Sequence, residues 1–236
     1  MIVRMLARFT VASLLGLSAP SAAFPGGPSS DGQADEAPRA LRPGFSASMG
    51  VSYVNPTDIV NLVNSTPGTT DRVSDFKAAV EFYGGFSLPL SEVWALRVEY
   101  AYLLGSYNVA SGFGPGEYTF VTHMPSIVGQ YVLVNEGVYN VRVGFGGGYH
   151  FGSLTQRIAN LEDTYAGSGL GVLLDLEANT AFGDHLYGYL GALFRWEFVG
   201  GLTNENGQSP RVTTGSSATT LNFFGIGARL GFTYYF

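Results

Sequence analysis

The sequence predicts an all-β fold, in which eight antiparallel strands close into an up-and-down β-barrel. Three observations carry this prediction. Only 13% of the 236 residues are charged, whereas 14% are aromatic and 33 are glycine, a composition unlike that of a helical bundle or a disordered chain. Mean hydropathy is +0.16, yet no apolar run approaches the roughly 20 residues that a membrane helix needs. Apolar residues instead recur at every second position, which is the period of a β-strand.

The composition also excludes several classes of function. The net charge of −6 leaves no basic surface for nucleic acid. Cysteine is absent, which excludes disulfides, thiolate metal sites and cysteine catalysis. We predict no cofactor and no metal.

Residues 1–23 have the pattern of a cleaved signal peptide. Arg4 and Arg8 accompany a short apolar stretch from Phe9 to Ala19, and Ser21-Ala22-Ala23 supplies the small residues that signal peptidase accepts. A buried first helix is the alternative interpretation, but the placement of the charges and the length of the apolar run favour an export signal.

Residues 24–42 are rich in Pro, Gly, Ser and Asp and show no periodicity. They predict a flexible periplasmic linker. The barrel is therefore expected to occupy residues 43–236.

Strands one to three alternate clearly, and strand four is the weakest. The first strand has the apolar positions Phe45, Ala47, Met49, Val51 and Tyr53. The second has Phe76, Ala78, Val80, Phe82, Phe86 and Leu88, and the third has Trp94, Leu96, Val98, Tyr100 and Tyr102. The fourth runs from about Glu117 to Val134, and its phase indicates a bulge at Pro125.

Strands five to eight repeat the pattern. The fifth has Tyr139, Val141, Val143, Phe145, Tyr149 and Phe151, and the sixth has Leu170, Val172, Leu174 and Leu176. The seventh has Leu190, Ala192, Phe194, Trp196 and Phe198, and the eighth has Phe224, Ile226, Ala228, Leu230, Phe232, Tyr234 and Phe236.

The connections between these strands alternate in length. Short links are predicted at Pro89–Glu92, Asn135–Gly137 and Gly183–His185. Long links are predicted at Asn55–Ser74, Val109–Gly116, Gly152–Ala166 and Leu202–Ser217. Three short turns and four long loops are the layout of a barrel with periplasmic turns and extracellular loops.

Charge placement predicts what surrounds the barrel. Strands two, three, six and seven carry two charges each, all on the polar face: Lys77, Glu81, Arg97, Glu99, Asp175, Glu177, Arg195 and Glu197. A soluble sandwich or lipocalin would expose that face to water. The opposite face is almost wholly Phe, Tyr, Trp, Leu and Val, an apolar area that would aggregate in water. We therefore predict a transmembrane barrel with lipid outside, where an Arg at the midplane would cost roughly 2–4 kcal/mol.

The chain ends on an apolar ladder of Leu230, Phe232, Tyr234 and the C-terminal Phe236. In this it resembles bacterial outer-membrane barrels, whose last strand typically ends in an aromatic residue that the insertion machinery reads. The strand count and size resemble the small OmpA/OmpX-type barrels. The resemblance covers residues from about 43 to 236. It implies location in the bacterial outer membrane, with membrane lipid, the barrel-insertion machinery and periplasmic chaperones as partners.

The lumen is predicted to be closed by ion pairs. Five positive and five negative side chains point inward: Lys77, Arg97, Arg142, Arg195 and Arg229 against Glu81, Glu99, Asp175, Glu177 and Glu197. An eight-stranded barrel has room only for its own side chains, so these charges must pair. A charged pore is the alternative, but the balanced signs leave no selectivity field.

Two histidines are predicted to meet at the barrel mouth. A bulge at Pro125 would make His123 and His150 direct neighbours that face inward. Two imidazoles without a third ligand do not make a usual metal site, so a hydrogen-bonded polar pair is expected. Ser126 and Ser153 each follow one of these histidines by three residues, which in a strand places the side chains on opposite faces unless the bulge at Pro125 intervenes.

The resulting hypothesis is a non-enzymatic outer-membrane barrel that serves envelope structure or surface-loop interactions. A small pore or conduit for hydrophobic solutes is one alternative. A lipid-A-modifying enzyme is the other.

Overall fold

The computed structural model describes residues 42–66, 72–111, 114–159, 161–210 and 218–236. The predicted signal peptide and all of the predicted linker except Arg42 lie outside these ranges. The elements are β1 Gly44–Asn55, α1 Thr57–Asn64, β2 Lys77–Pro89, β3 Trp94–Ser111, β4 Gly114–Asn135, β5 Tyr139–Ile158, β6 Leu161–Ala181, β7 Leu186–Gly201 and β8 Thr220–Tyr235. Each strand pairs antiparallel with the next, and β8 pairs with β1. The predicted eight-stranded antiparallel up-and-down barrel is confirmed.

The alternation along each strand sets which side chains point into the barrel. At the closing seam, Arg229 points inward and lies opposite Gly50, whereas Met49 lies opposite Leu230 and both of these side chains point outward. The register is thus fixed by keeping one apolar set on the outside wall, because a slip of one residue would bring Arg229 outside.

The two ends of the barrel differ. At the turn end, which holds Gly44 and Tyr235, neighbouring strands are joined by short links at 90–93, 136–138 and 182–185. Gly137 has a φ of 71°, which a tight turn requires and which glycine adopts freely. The opposite end is called the loop end, and it holds α1.

Two of the four predicted long loops are wrong. The segments predicted as loops at Val109–Gly116 and Gly152–Ala166 lie largely within strands that continue past the ends of β1, β2, β7 and β8. The alternation does continue there, as in Thr155 opposite Thr164, but with polar residues outside, and this polarity resembles that of a loop.

A third predicted loop contains a helix. Helix α1 lies within the predicted link Asn55–Ser74 and buries Ile59, Val60, Leu62 and Val63. The apolar residues at helical spacing are the signal for it. Among the described residues, no helix has the length and hydropathy needed to cross a membrane.

The predicted bulge at Pro125 is also wrong. Strand β4 keeps one register with β5 on both sides of Pro125, from His123 opposite Phe151 to Ile127 opposite Gly147. Proline removes a donor from the ladder but inserts no residue. The register shifts instead between Val132 and Val134, near the turn end.

Candidate functional site

The outside wall of the barrel is an apolar band with an aromatic girdle at each edge. The turn-end girdle contains Phe45, Phe86, Trp94, Tyr131, Tyr139, Phe182, Tyr234 and Phe236. The loop-end girdle contains Tyr53, Phe76, Tyr100, Tyr149, Phe151, Phe198 and Phe224. Between them are exposed aliphatic side chains such as Met49, Ile127 and Leu190. An apolar band between two aromatic girdles is the pattern of barrels that sit in a bilayer.

Tyrosines fill the lumen at the turn end. The rings of Tyr83 and Tyr189 stack with centroids 5.9 Å apart, and those of Tyr187 and Tyr235 meet edge to face at 5.0 Å. All four side chains are buried. Tyr83 and Tyr189 directly adjoin the apolar positions Phe82 and Leu190 of strands two and seven, so the period of two places both tyrosines on the inward face.

Arg97 is the centre of the charged middle of the lumen. Its Nε donates to Glu99 Oε2 at 2.8 Å, its Nη1 to Glu177 Oε2 at 2.6 Å and its Nη2 to Asp175 Oδ2 at 2.7 Å. Gln130 also donates to Glu177, at 3.0 Å. One guanidinium therefore holds three carboxylates from two strands on opposite sides of a narrow lumen, all of them buried.

A second group of ion pairs lies around Glu81. Arg229 Nε donates to Glu81 Oε1 at 2.7 Å, Arg195 Nη2 donates to the same oxygen at 2.9 Å, and the Ser52 hydroxyl donates to Oε2 at 2.7 Å. Arg229 also lies 3.8 Å from Glu99, which joins this group to the one around Arg97. Seven of the ten charged residues predicted to line the lumen are thereby brought into one connected set.

The structure places the other three of the ten apart from that set. Lys77 lies nearer the loop end, with its ammonium 5.3 Å from the centre of the Tyr107 ring. Arg142 donates to the Tyr235 hydroxyl at 2.8 Å. Glu197 is hydrogen-bonded to His150.

The structure does not bring His123 and His150 together. Because no residue is inserted at Pro125, the alternation of β4 leaves His123 on the outside wall, where its Nδ1 lies 2.5 Å from the Tyr100 hydroxyl. His150 points inward. The predicted polar pair at the mouth is therefore corrected: the two rings lie on opposite faces of the wall.

His150 belongs to a different polar chain, which the sequence analysis missed. Its Nε2 lies 3.0 Å from Ser126 Oγ and its Nδ1 lies 2.5 Å from Glu197 Oε2, so serine, histidine and glutamate are linked in series. All three are buried. A Cβ atom at Gly171 would overlap both His150 Nδ1 and Glu197 Oε2, so this position on β6 makes room for the chain. Its prediction would require the register of β4 on β5 for Ser126, and the registers of β5 and β7 on β6 for Glu197.

An apolar cap closes the loop end of the lumen. The buried residues of α1 belong to one hydrophobic cluster with inward-facing residues from all eight strands, namely Val54, Ala79, Ala101, Leu103, Tyr107, Val109, Tyr118, Phe120, Met124, Leu154, Tyr165, Val199, Leu221 and Phe223. Asp58 fixes the helix to β8, because its Oδ2 accepts hydrogen bonds from Thr220 N at 3.2 Å and Thr220 Oγ1 at 2.5 Å.

The four strands β3 to β6 continue beyond the loop-end girdle. We call this part the extension; it comprises residues 105–111, 114–122, 152–158 and 161–167. Its outside face bears the ion pairs of Arg157 with Glu162, at 2.5 Å, and with Glu117, at 3.6 Å. The hydrogen bond and the charge of Glu162 raise the pKa of Arg157. Within the described ranges, no group of three or more acidic or histidine side chains is placed to hold a metal ion.

Comparisons with known proteins show the fold. No family model and no curated protein matches the sequence. The structure is similar to Neisserial surface protein A, with a TM-score of 0.52 at 8% identity over 82% of this chain and 97% of that one. Other similar structures are the attachment invasion locus protein Ail of Yersinia pestis (TM-score 0.48, 8% identity, 83% and 98% coverage) and a major outer membrane protein from Thermus thermophilus (0.43, 18%, 82% and 99%). The chain thus has the fold of the small eight-stranded barrels that its sequence resembles.

Proposed function

We propose that this protein is an integral barrel of the bacterial outer membrane, with its lumen closed and its loop end facing outward, and that it serves envelope structure or surface interactions. The observation that supports this most strongly is that polar and apolar side chains are arranged in the opposite way to a soluble protein. Buried charges such as Arg97 and Glu81 fill the inside, while large apolar side chains cover the outside. In water, that outside would be an aggregating surface.

Residues 1–23 fit this proposal as the export signal, and residues 24–42 fit it as a periplasmic linker. The last strand fits as the substrate of the insertion machinery. Phe236 and Tyr234 lie on the outside wall, with ring centroids 5.4 Å apart, and Leu230 and Phe232 continue the same face.

Cell fractionation tests the location. We expect the full-length protein to sediment with outer membranes, to resist alkaline extraction and to dissolve only in detergent. Replacing Phe236 with Ser should lower the inserted fraction, whereas the same change at Phe182, also exposed on the turn-end girdle, should have less effect. Recovery of the full-length protein from the soluble periplasm would contradict the proposal.

One observation favours a second candidate function, an acyl hydrolase or transferase. The serine–histidine–glutamate chain at Ser126, His150 and Glu197 has the hydrogen-bond order in which a histidine activates a serine nucleophile and a carboxylate orients the histidine. Burial beneath the α1 cap disfavours it, because a substrate would have to displace α1 to reach Ser126.

Labelling with a fluorophosphonate distinguishes the two candidates. If the protein is a closed structural barrel, the reagent should label neither the folded wild-type protein nor the Ser126→Ala variant. Covalent labelling at Ser126 that disappears in His150→Ala would establish the hydrolase instead.

A further inference from the structure

The tip of the extension contains a cavity of about 390 Å³, a volume within the range of small-molecule sites. It is lined by residues from the outer ends of β3, β4 and β5, and its apolar lining comes from Val109, Ala110, Pro115 and Ala159. The cavity lies beyond the loop-end girdle. In the proposed orientation, it is therefore accessible from the water outside the cell.

One wall of the cavity has a strained backbone. Ala159 has a φ of 53°, a left-handed conformation that residues with a Cβ atom rarely adopt. Its N–H donates to the Pro115 carbonyl at 3.3 Å, which fastens the tip of the β5–β6 hairpin to β4. Strained backbone residues persist where their surroundings fix them, and they cluster at ligand sites. The cavity wall is thus held in place by backbone contacts.

The extension is acidic, and one carboxylate at the cavity has only weak partners. The charged residues of the extension are Glu117, Glu162 and Asp163 against Arg157, a net charge of −2. Arg157 is paired mainly with Glu162, whose Oε2 accepts hydrogen bonds from Nε at 2.9 Å and Nη2 at 2.5 Å. The half-exposed Glu117 has longer contacts, to Arg157 Nη1 at 3.6 Å and to the Thr119 hydroxyl at 3.4 Å. Its carboxylate can therefore accept a further cation.

We propose that this cavity binds a lysine side chain from a basic segment of a partner protein. Lysine packs its aliphatic stem on apolar surface while its ammonium stays among oxygen acceptors. Here the stem packs on Val109, Ala110 and Pro115, and the ammonium donates to Glu117 and to the side-chain carbonyl of Asn108. The inference rests on the proposed outward orientation of the loop end, because a partner outside the cell must reach the tip.

The apolar surface beside the cavity favours a peptide over a free amine. Leu161 begins β6 two residues after Ala159, and its side chain is 76% exposed. Apolar surface therefore continues from the cavity onto the tip of the β5–β6 hairpin. A ligand covers both parts only if it carries further chain beside the lysine.

Peptide binding tests the proposal on the full-length protein in nanodiscs of phosphatidylcholine, whose headgroups carry no net charge. The probe is a short fluorescein-labelled peptide of alternating lysine and glycine, and fluorescence polarisation measures its Kd. We expect Glu117→Gln to weaken binding about tenfold, because a hydrogen bond to a charged group is lost. Ala110→Leu keeps every charge but fills the cavity, and it should weaken binding by a similar factor. The same peptide with acetylated lysines should not bind.

Glu205→Gln is the matched control, since Glu205 is an exposed carboxylate between β7 and β8 and the change removes the same charge. It should bind the peptide as wild type does. Binding to wild type no stronger than to empty nanodiscs, or equal weakening by Glu117→Gln and Glu205→Gln, would overturn the proposal. Equally tight binding of N-acetyl-lysine methylamide would replace the partner protein with a small amine and so overturn it too.

Heat-modifiable migration of the same samples reports whether each variant is folded and inserted. The labelled peptide is also added to intact cells that express the protein. Binding in nanodiscs without binding to cells would contradict the proposed orientation and leave the cavity as a lysine site. Loss of binding in nanodiscs, in contrast, counts against the cavity alone.

Discussion

In the middle of the lumen Arg97 contacts three carboxylates, whereas nearer the loop end the same strand contributes Leu103 to the apolar cluster that includes α1. Both regions exclude solvent, but ion pairs stabilise the first and burial of apolar side chains stabilises the second. The charged middle gains stability only while every charge has its partner, because an unpaired buried ion is very costly. The cap gains stability from apolar area and loses it gradually as that area is removed.

Because of this difference, we expect substitutions in the two regions to destabilise the protein in different ways. Loss of one charge in the middle should destabilise the whole barrel, since the ion pairs join strands on opposite sides of the lumen. Loss of an apolar group in the cap should release α1 locally and leave the strands in place.

The largest effect is expected for Arg97→Leu. This change leaves Glu99, Asp175 and Glu177 buried without their shared cation and should lower the free energy of unfolding by about 5 kcal/mol. Urea unfolding of the protein in lipid vesicles, followed by tryptophan fluorescence, measures it. Arg157→Leu is the control, because its ion pairs are half-exposed, so that water screens them and their loss should change the free energy of unfolding far less. Equal effects of the two changes would refute the special role of the middle.

Arg229→Leu should cost somewhat less, about 3–4 kcal/mol. The reason is that Glu81 keeps Arg195 and Ser52 as partners when Arg229 is removed. The same unfolding experiment compares it with Arg97→Leu. A variant that unfolds at the wild-type urea concentration would contradict the ion-pair account.

Ile59→Ala tests the cap. Ile59 is fully buried in the apolar cluster, and its truncation should lower the free energy of opening α1 by about 2–3 kcal/mol. Hydrogen exchange should show faster exchange in α1 and unchanged exchange in β3 and β8. Asn61→Ala, on the exposed side of the helix, serves as the control. Faster exchange throughout the barrel would show that the cap and the middle are not independent.

Asp58→Asn should give the smallest effect, about 1 kcal/mol on the opening of α1. The amide still accepts one hydrogen bond from Thr220, but the bonds to a full carboxylate charge are lost. The hydrogen-exchange experiment used for Ile59→Ala detects it, and protection of α1 equal to wild type would show that the contact with Thr220 does not hold the helix.

The middle of the lumen was accessible to sequence reasoning, whereas the cap was not. A strand period of two fixes the inward direction of Arg97, Glu81 and Arg229 without knowledge of any neighbour. Which carboxylate each arginine contacts depends on the register and tilt of strands far apart in sequence. For β4 the prediction is wrong because Pro125 indicated a bulge. That bulge would turn His123 inward, whereas His123 lies on the outside wall.

The cap was missed for a different reason. Helix α1 is a short helix inside a segment between strands, and its burial depends on a mouth to which all eight strands contribute. Likewise the extension contains polar residues typical of a loop, and only strand pairing shows that Thr119, Thr155 and Thr164 lie side by side. Local polarity alone cannot separate a polar strand from a loop.

The central claim is that two regions close the lumen, the α1 cap and the charged middle. Conductance across a planar lipid bilayer tests this claim most directly. The purified full-length protein, inserted at a density verified by fluorescence, should give no steady open channel, because ions meet first the α1 cap and then the paired charges around Arg97. A stable porin-like conductance in the wild-type protein would contradict this account.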